Sequence, residues 1–326
     1  MNYLREYSLT VGRPAVTKFL SEQYTEESIL GQVQIPVAQD FRTETLNAVE
    51  IKNLQMITKI GQKTGGGSSA SCSIDIVNLS EENRELVSKT NNYVILKAGY
   101  KNQELPMIFS GQVIDGYSKR VGTEIITTLV CSDGYIPNNN LRITKTYPRN
   151  STATTIINDI IKVYQKNGIA LGSFVQTASV KERTNYVQID SLNDIIYKNG
   201  YSVTGYLVDV LTSLCKGVGY TNYIANGKLY IHPVGYTKQV EVFDYNPDQM
   251  YSVYNSTAAT TSPSGKEDIG LEVTVQLDGR LGVDKHVRIT SGKYAGTYKI
   301  TKLSHTLNFE DSPWETTFTC RKLNVA

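Results

Sequence analysis

Ile74-Asp75-Ile76-Val77-Asn78-Leu79 and Val273-Thr274-Val275-Gln276-Leu277 open two passages whose elements follow in the same order. After the first come Val94-Ile95-Leu96-Lys97-Ala98-Gly99, Phe109-Ser110-Gly111 and Thr127-Thr128-Leu129-Val130-Cys131. After the second come Val287-Arg288-Ile289-Thr290-Ser291-Gly292, Tyr294-Ala295-Gly296 and Thr316-Thr317-Phe318-Thr319-Cys320. Apolar residues often alternate with polar ones in these segments and turn residues part them, which is the period-two pattern of half-buried strands. Four matched elements in one order predict a duplicated meander. Gly111 precedes Cys131 by 20 residues and Gly296 precedes Cys320 by 24, and a longer hairpin tip through Asn308 to Pro313 absorbs the difference. Cys131 and Cys320 are then expected at equivalent positions on equivalent strands, facing the interiors as small apolar groups.

Working outward, residues 1–135 read as mostly strand. Tyr7-Ser8-Leu9-Thr10-Val11 and Ala48-Val49-Glu50-Ile51 alternate, and Gly65-Gly66-Gly67-Ser68-Ser69 is expected as a flexible loop. One short helix is expected from Ser80 to Val87, with the Ser80 hydroxyl accepting a backbone hydrogen bond at its start and Glu81 and Glu82 facing the positive end of its dipole. From 136 to 236 the period changes. Ser151 or Thr152 can cap a helix with Ile156, Ile157, Ile160, Ile161 and Tyr164 on one face, ending at Asn167-Gly168. A second helix follows Thr204, with Leu207, Val210, Leu211 and Leu214 inward and Gly217 and Gly219 stopping it. Tyr220 to Ile224 and Lys228 to Ile231 flank Asn226-Gly227, a hairpin turn in which both central residues tolerate positive φ. Asn255 to Lys266, rich in Ser, Thr, Ala, Pro and Gly, reads as an exposed loop or linker leading into the second strand-rich block. The fold class is therefore mainly β with an α+β insert, in three parts: 1–135, 136–236 and 237–326.

The chain of 326 residues is long for one core, and its 33 basic and 31 acidic residues leave a net charge of +2. No polybasic tail points to nucleic acid. No apolar run is long enough for a membrane helix, and Met1-Asn2-Tyr3-Leu4-Arg5-Glu6 lacks the apolar core of a signal peptide, so a soluble protein folding in cytoplasm is expected. Cys72, Cys131, Cys215 and Cys320 are scattered, with no Cys-x-x-Cys, and read as buried free thiols. The 22 tyrosines against 7 phenylalanines suit strands whose outer faces meet another surface.

A search for chemistry finds no convergent nucleophile, base and stabiliser. His232, His286 and His305 fall in strands or at their ends without a paired histidine at ligand spacing, and read as structural or surface residues. Gly61-Gln62-Lys63-Thr64-Gly65-Gly66-Gly67 has the composition of a phosphate loop but not its order, since no Lys-Ser or Lys-Thr leads from the last glycine into a helix. Asp115-Gly116, Asp133-Gly134 and Asp278-Gly279 read as turns, and Glu310-Asp311 beside Trp314 as a solvated hairpin tip rather than a sugar-cleaving carboxylate pair. No catalytic, cofactor-binding or metal-binding residue is expected.

The run Ser73 to Glu82, with Val94-Ile95-Leu96-Lys97-Ala98-Gly99-Tyr100 and Ile108-Phe109-Ser110-Gly111-Gln112-Val113, resembles the N-terminal domain of the baseplate hub proteins of contractile-tail phages and phage-tail-like bacteriocins. Tyr201 to Gly205 through Leu229 to Pro233, and Gly296 to Ile300 through Trp314 to Thr316, are similar to the same family, so the likeness covers most of the chain. These are fold-determining patterns, with no catalytic signature among them.

The resemblance implies two tail-tube-like β-barrel or sandwich domains flanking the α+β region, which faces the spike. It also implies a homotrimer in which six similar domains ring a channel, offering pseudo-sixfold symmetry to the tail tube protein and threefold symmetry to the central spike protein. Tape-measure and baseplate wedge proteins are further partners to expect, with localisation in the virion tail baseplate. Two alternatives remain at this level. A cell-wall hydrolase of the tail would need a carboxylate or nucleophile set and an appended catalytic domain, which is not expected beyond Ala326. A hexameric distal tail or tube-like protein would place six chains in the ring instead of three.

Overall fold

The computed structural model describes residues 4–14, 45–175, 192–234, 236, 241–256 and 270–323. Its first part contains β1 (Arg5–Pro14), β2 (Thr45–Ile51), β3 (Met56–Lys63), β4 (Ser68–Ser69), β5 (Ser71–Val77), α1 (Glu81–Val87), β6 (Tyr93–Tyr100), β7 (Met107–Val121), β8 (Glu124–Ser132) and α2 (Tyr135–Asn140). Alternation decides which face of each strand is buried: Met56, Thr58 and Ile60 point in from β3 while Ile57 and Lys59 point out. The strands lie in the order β3-β5-β8-β7-β6-β1-β2, each neighbouring pair antiparallel. Their inner faces enclose a core that includes Leu9, Ile60, Ile74, Leu96, Phe109 and Leu129. Ser80 stands at the start of α1, but its side chain makes no capping bond, although its ψ of 152° is the extended backbone usual at that position.

The middle part contains β9 (Arg142–Tyr147), β10 (Ser151–Thr152), α3 (Ala153–Lys166), β11 (Ala170–Phe174), β12 (Ile196–Tyr197), β13 (Tyr201–Tyr206), α4 (Leu207–Gly217), β14 (Tyr220–Ala225) and β15 (Lys228–Pro233). Thr152 caps α3 by accepting the Thr155 N–H at 3.2 Å, and Gly168, with φ at 79°, ends it. Ile156, Ile157, Ile160, Ile161 and Tyr164 are buried against Leu207, Leu211 and Leu214 of α4, each aliphatic side chain stabilising the unit by about 2 kcal/mol on transfer from water. Asn226 and Gly227 turn the β14–β15 hairpin with φ of 48° and 74°.

The last part contains β16 (Val242–Tyr245), β17 (Met250–Ser256), β18 (Gly270–Gln276), β19 (His286–Ile289), β20 (Gly296–Asn308) and β21 (Trp314–Lys322). These follow the order β17-β18-β21-β20-β19-β16, which matches β3-β5-β8-β7-β6-β1 strand for strand. Both hairpins carry a bulge at the same place, after Val113 opposite Cys131 and after Ile300 opposite Cys320. Counted from the bulges, Gly111 occupies the place of Tyr298 and not that of Gly296. The glycines paired in the sequence reading are thus two residues out of step, and the tip from Asn308 to Pro313 has less length to absorb. The repeat is imperfect at its far edge, where β16 runs parallel to β19 although β1 is antiparallel to β6. Asn255 and Ser256 close β17, and the rest of the expected linker lies outside the described residues.

The two sheets are continuous. β3 pairs with β20, giving one thirteen-stranded sheet among the described residues. Asp115-Gly116 is no turn: both residues lie inside β7, paired with Val130 and Leu129, because the hairpin extends past the bulge to Val121 and Glu124. Among the described residues no helix is long and apolar enough to cross a membrane.

Candidate functional site

The joint between the sheets runs from Lys63 opposite Lys302 to Ile57 opposite Asn308. Its inner face sets Gln62, Ile60 and Thr58 beside Leu303, His305 and Leu307, all buried. His305 is 1 % exposed, with Nδ1 2.9 Å from Thr316 Oγ1, and burial pushes its pKa down to about 4, so the ring is neutral at pH 7. Groups from distant parts of the chain pin the end of the joint. Gln55 Nε2 donates to Asn308 Oδ1 at 2.8 Å, the Phe309 N–H to the Met56 carbonyl at 3.0 Å, and Arg5 Nη1 to the Asn308 carbonyl at 2.8 Å. The Arg5 guanidinium lies 5.6 Å from the Trp314 ring centroid. Glu310 and Asp311 sit exposed at this tip, which is held by its backbone: the Glu310 N–H donates to Gln55 Oε1 and the Asp311 carbonyl accepts from Arg5.

The glycine-rich loop does different work from the flexible connection expected of it. The Gly67 N–H donates to the Asn222 carbonyl at 2.9 Å, and Ser68 and Ser69 pair in parallel with Tyr223 and Ile224 of β14. A Cβ at Gly67 would meet Thr212 Oγ1 at 2.5 Å, and its φ of 69° excludes most side chains. Asp133 is buried and its carboxylate accepts the Gly227 N–H, so the turn of the middle hairpin is held by the first sheet.

A third contact ties the middle part to the last. Asp284, in the left-handed region at φ 66°, accepts from His232 Nε2 at 2.8 Å and from the Tyr223 hydroxyl, and Lys299 Nζ lies 2.8 Å from its other oxygen. Lys299 also donates to the Tyr236 carbonyl at 2.8 Å. Burial works to raise the Asp284 carboxyl, but the His232 hydrogen bond and the Lys299 charge outweigh it and hold the pKa far below the carboxylate range. Aspartate, histidine, tyrosine and lysine are the residue types of acid–base chemistry. Here each is bonded to another of the set or to backbone, and a carboxylate held so strongly ionised makes a poor base. The geometry makes a clamp.

All three histidines are buried, so the surface reading fails for each, and none faces another metal donor set. Among the described residues no group of three or more His, Cys, Asp or Glu side chains could hold a metal ion. The tyrosines divide: Tyr117, Tyr206, Tyr251 and Tyr254 are exposed on strands, and others are buried. Tyr7, Tyr164, Tyr245 and Tyr298 are buried with hydroxyls donating to Leu54, Asn138, Asp278 and Tyr294, because a phenol can enter an apolar seam once its polar end is satisfied. The joint and the clamp carried no local signal in the sequence: their members lie apart along the chain, Asp284 and Lys299 by 15 residues, His232 and Asp284 by 52 and Gln55 and Asn308 by 253.

The fold as a whole has counterparts among solved structures. The tail protein of Neisseria meningitidis MC58 matches at TM-score 0.54 and 9 % identity over 84 % of this chain and 94 % of that one. The 43 kDa tail protein of prophage MuSo2 from Shewanella oneidensis matches at 0.53 and 12 % identity, covering 83 % and 93 %. The fold is that of phage tail proteins. The Escherichia coli c3393 protein, described as a component of the type VI secretion system with structural similarity to the bacteriophage T4 tail proteins gp27 and gp5, shares this fold at TM-score 0.58 and 9 % identity over 83 % of this chain and 74 % of that one. No protein-family model matches the sequence, and no curated protein matches it. Identities this low speak for the fold alone.

Proposed function

We propose that the chain is the structural hub of a phage tail or tail-like particle. It acts as a homotrimer that joins a hexameric tail tube to a trimeric central spike and forms part of the central channel. The observation that carries this reading is the doubled sheet: two units of like strand order, joined edge to edge within one chain. Three chains supply six such units, which meets a sixfold tube on one side while keeping threefold symmetry for a spike on the other. The division is 1–135 and 237–326 for the two tube-like units and 136–236 for the spike-facing region. Partners are the tube, spike, tape-measure and wedge proteins, and the place of action is the virion tail baseplate, after assembly in the host cytoplasm. The role is mechanical, and the Asp284 clamp and the β3–β20 joint hold its parts in fixed relation. Native mass spectrometry of the purified protein with its spike and tube partners tests this. Three chains per assembly is the expected result, and six chains would replace the hub with a distal tail or tube-like ring. Reproducible muropeptide release from purified cell walls, lost on changing one carboxylate, would replace it with a hydrolase.

A further inference from the structure

An open groove of about 740 Å³ lies at the end of the joint, beside the hairpin tip that carries Glu310 and Asp311. Strand ends and that tip build it: Arg5 comes from β1, Tyr251 from β17, Gln276 from β18, and Trp314 and Glu315 from the start of β21. Its volume falls within the range of about 300 to 1,000 Å³ common to small-molecule sites. The tip that walls it is fixed in place. The Asp311 N–H donates to Asn308 Oδ1 at 3.2 Å, the Ser312 N–H to Asp311 Oδ1 at 2.7 Å and the Asn308 N–H to the Pro313 carbonyl at 2.7 Å, so a ligand meets a groove already shaped.

Its side chains have bonding capacity to spare. Tyr251 falls at the irregularity between Met250 and Ser252 of β17, without a ladder partner, and is 64 % exposed. Trp314 is 5 % exposed, and its Nε1 has no hydrogen-bond partner among the described residues. A buried donor left unpaired is costly, and an acceptor brought by a ligand removes that cost. The side chains of Glu310 and Glu315 make no hydrogen bond or ion pair among the described residues. Arg5, the one cation lining the groove, does not neutralise them: its guanidinium lies over the Trp314 ring and donates to the Asn308 and Asp311 carbonyls.

We propose that this groove binds an uncharged pyranose oligosaccharide. The exposed Tyr251 ring offers a flat apolar face to the C–H side of a sugar ring. Glu310 and Glu315 accept from sugar hydroxyls, as charged acceptors do most strongly, and Trp314 Nε1 donates to a sugar oxygen. Donor and acceptors stand together beside an aromatic face, which suits a polyhydroxylated ring. A cationic peptide side chain has no acceptor for the indole N–H, and an anionic sugar is repelled by Glu310, Asp311 and Glu315. Binding asks neither Glu310 nor Glu315 to give or take a proton, so the site needs no cleaving pair. The inference goes beyond the hub reading and holds whether the ring has three chains or six.

Trp314 is the one tryptophan of the chain, so its fluorescence reports on the groove directly. The test titrates the full chain with chitotetraose, maltotetraose and tetralysine, read by tryptophan fluorescence and by calorimetry. Wild type is compared with Tyr251→Ala, Glu310→Gln and Tyr254→Ala, the last being exposed on the same strand but outside the groove. The expected result is saturable binding of at least one of the two sugars, weakened about tenfold by Tyr251→Ala, weakened also by Glu310→Gln and unchanged by Tyr254→Ala. Circular dichroism checks each variant, and Glu310→Gln, at an exposed position and of the same shape, carries the comparison where Tyr251→Ala misfolds. Flat titrations with both sugars up to their solubility, by both readouts, overturn the proposal. Sugar binding that the groove variants leave intact also overturns it, because the sugar then sits elsewhere. Saturable binding of tetralysine alone replaces the sugar with a cationic peptide.

Discussion

Cys131 and Cys320 each face the last residue before a β-bulge. Val113 stands opposite Cys131 and Ile300 opposite Cys320, and in each hairpin the next residue, Ile114 or Thr301, is left unpaired before the ladder resumes. Both thiols are buried, at 2 % and 0 % exposure. A bulge bends and twists its hairpin, and in both hairpins a buried thiol stands opposite it. The equivalence is one of ladder position, shared although few of the surrounding residues are the same.

Thiol chemistry follows from that burial. Desolvation pushes the pKa values of Cys131, Cys215 and Cys320 up to about 12 and that of Cys72 well above its ordinary value. At pH 8 a thiol of pKa 12 is ionised to about one part in ten thousand, and only the thiolate attacks. The native protein is expected to show no rapid reaction with an aromatic disulfide reagent and to titrate four thiols in denaturant. Fast labelling of the native chain at Cys131 or Cys320 would mean that the interiors open.

Acid should loosen the joint through His305. Unfolded, the imidazole protonates near its ordinary 6.5, while in the fold it resists to about 4, so the unfolded state binds the proton first as pH falls. Its contribution is complete above pH 6.5 and disappears between 6.5 and 4, a loss of about 3 kcal/mol over the window. His286, also held low by burial, acts in the same direction. Thermal melts of wild type from pH 7 to 4 should therefore fall more steeply than those of His305→Gln, whose side chain can keep a hydrogen bond to Thr316 without titrating. Parallel slopes would remove His305 from the account.

Elements with a local cause were readable in the sequence. The apolar stripe of α3, the Thr152 cap and the Asn226-Gly227 turn each lie within a few residues, where side-chain period and backbone preference act directly. The repeat was readable as an order and in the register of Cys131 and Cys320, but Gly111 and Gly296 were matched two residues out of step, because a glycine in a strand does not mark its place in the ladder. Asp115-Gly116 looked like a turn and is strand, with glycine required because a Cβ would come within 2.6 Å of Ser88 Cα. α2 was missed since Tyr135-Ile136-Pro137-Asn138-Asn139-Asn140 has the composition of a loop. The joint and the Asp284 clamp depend on partners far along the chain, and such pairings leave no trace in a window of ten residues.

Removing the Asp284 charge tests whether the clamp is structural. Asp284→Asn leaves Lys299, whose side chain is 17 % exposed, without its counter-charge, and removes a strong acceptor from His232. Breaking one side of a largely buried pair costs about 3 kcal/mol, more than the pair contributes over apolar residues of like shape. Urea unfolding should show that loss, and Asp284→Asn combined with Lys299→Met should recover part of it. A single variant as stable as wild type would show that the contact carries no weight.

Gly67 gives the most local test of how the first sheet holds the middle region. Alanine there must take φ near 69°, unfavourable for an L residue by about 1 kcal/mol, and must also displace Thr212 Oγ1 and Val208 Cγ2, which a Cβ would approach to 2.5 and 2.9 Å. α4 carries both of those side chains, so the strain falls on the strip where Ser68 and Ser69 pair with β14. Gly66 is the internal control: its φ of 64° is similar, but nothing lies within 4 Å of its would-be Cβ. Gly67→Ala should therefore destabilise by about 1 to 3 kcal/mol more than Gly66→Ala in urea unfolding, the added loss being that of overpacking. Hydrogen exchange should quicken at the Gly67 N–H, which donates to Asn222, ahead of the β3–β20 joint. Equal losses at the two glycines would mean that the loop rests on the middle region without being gripped by it.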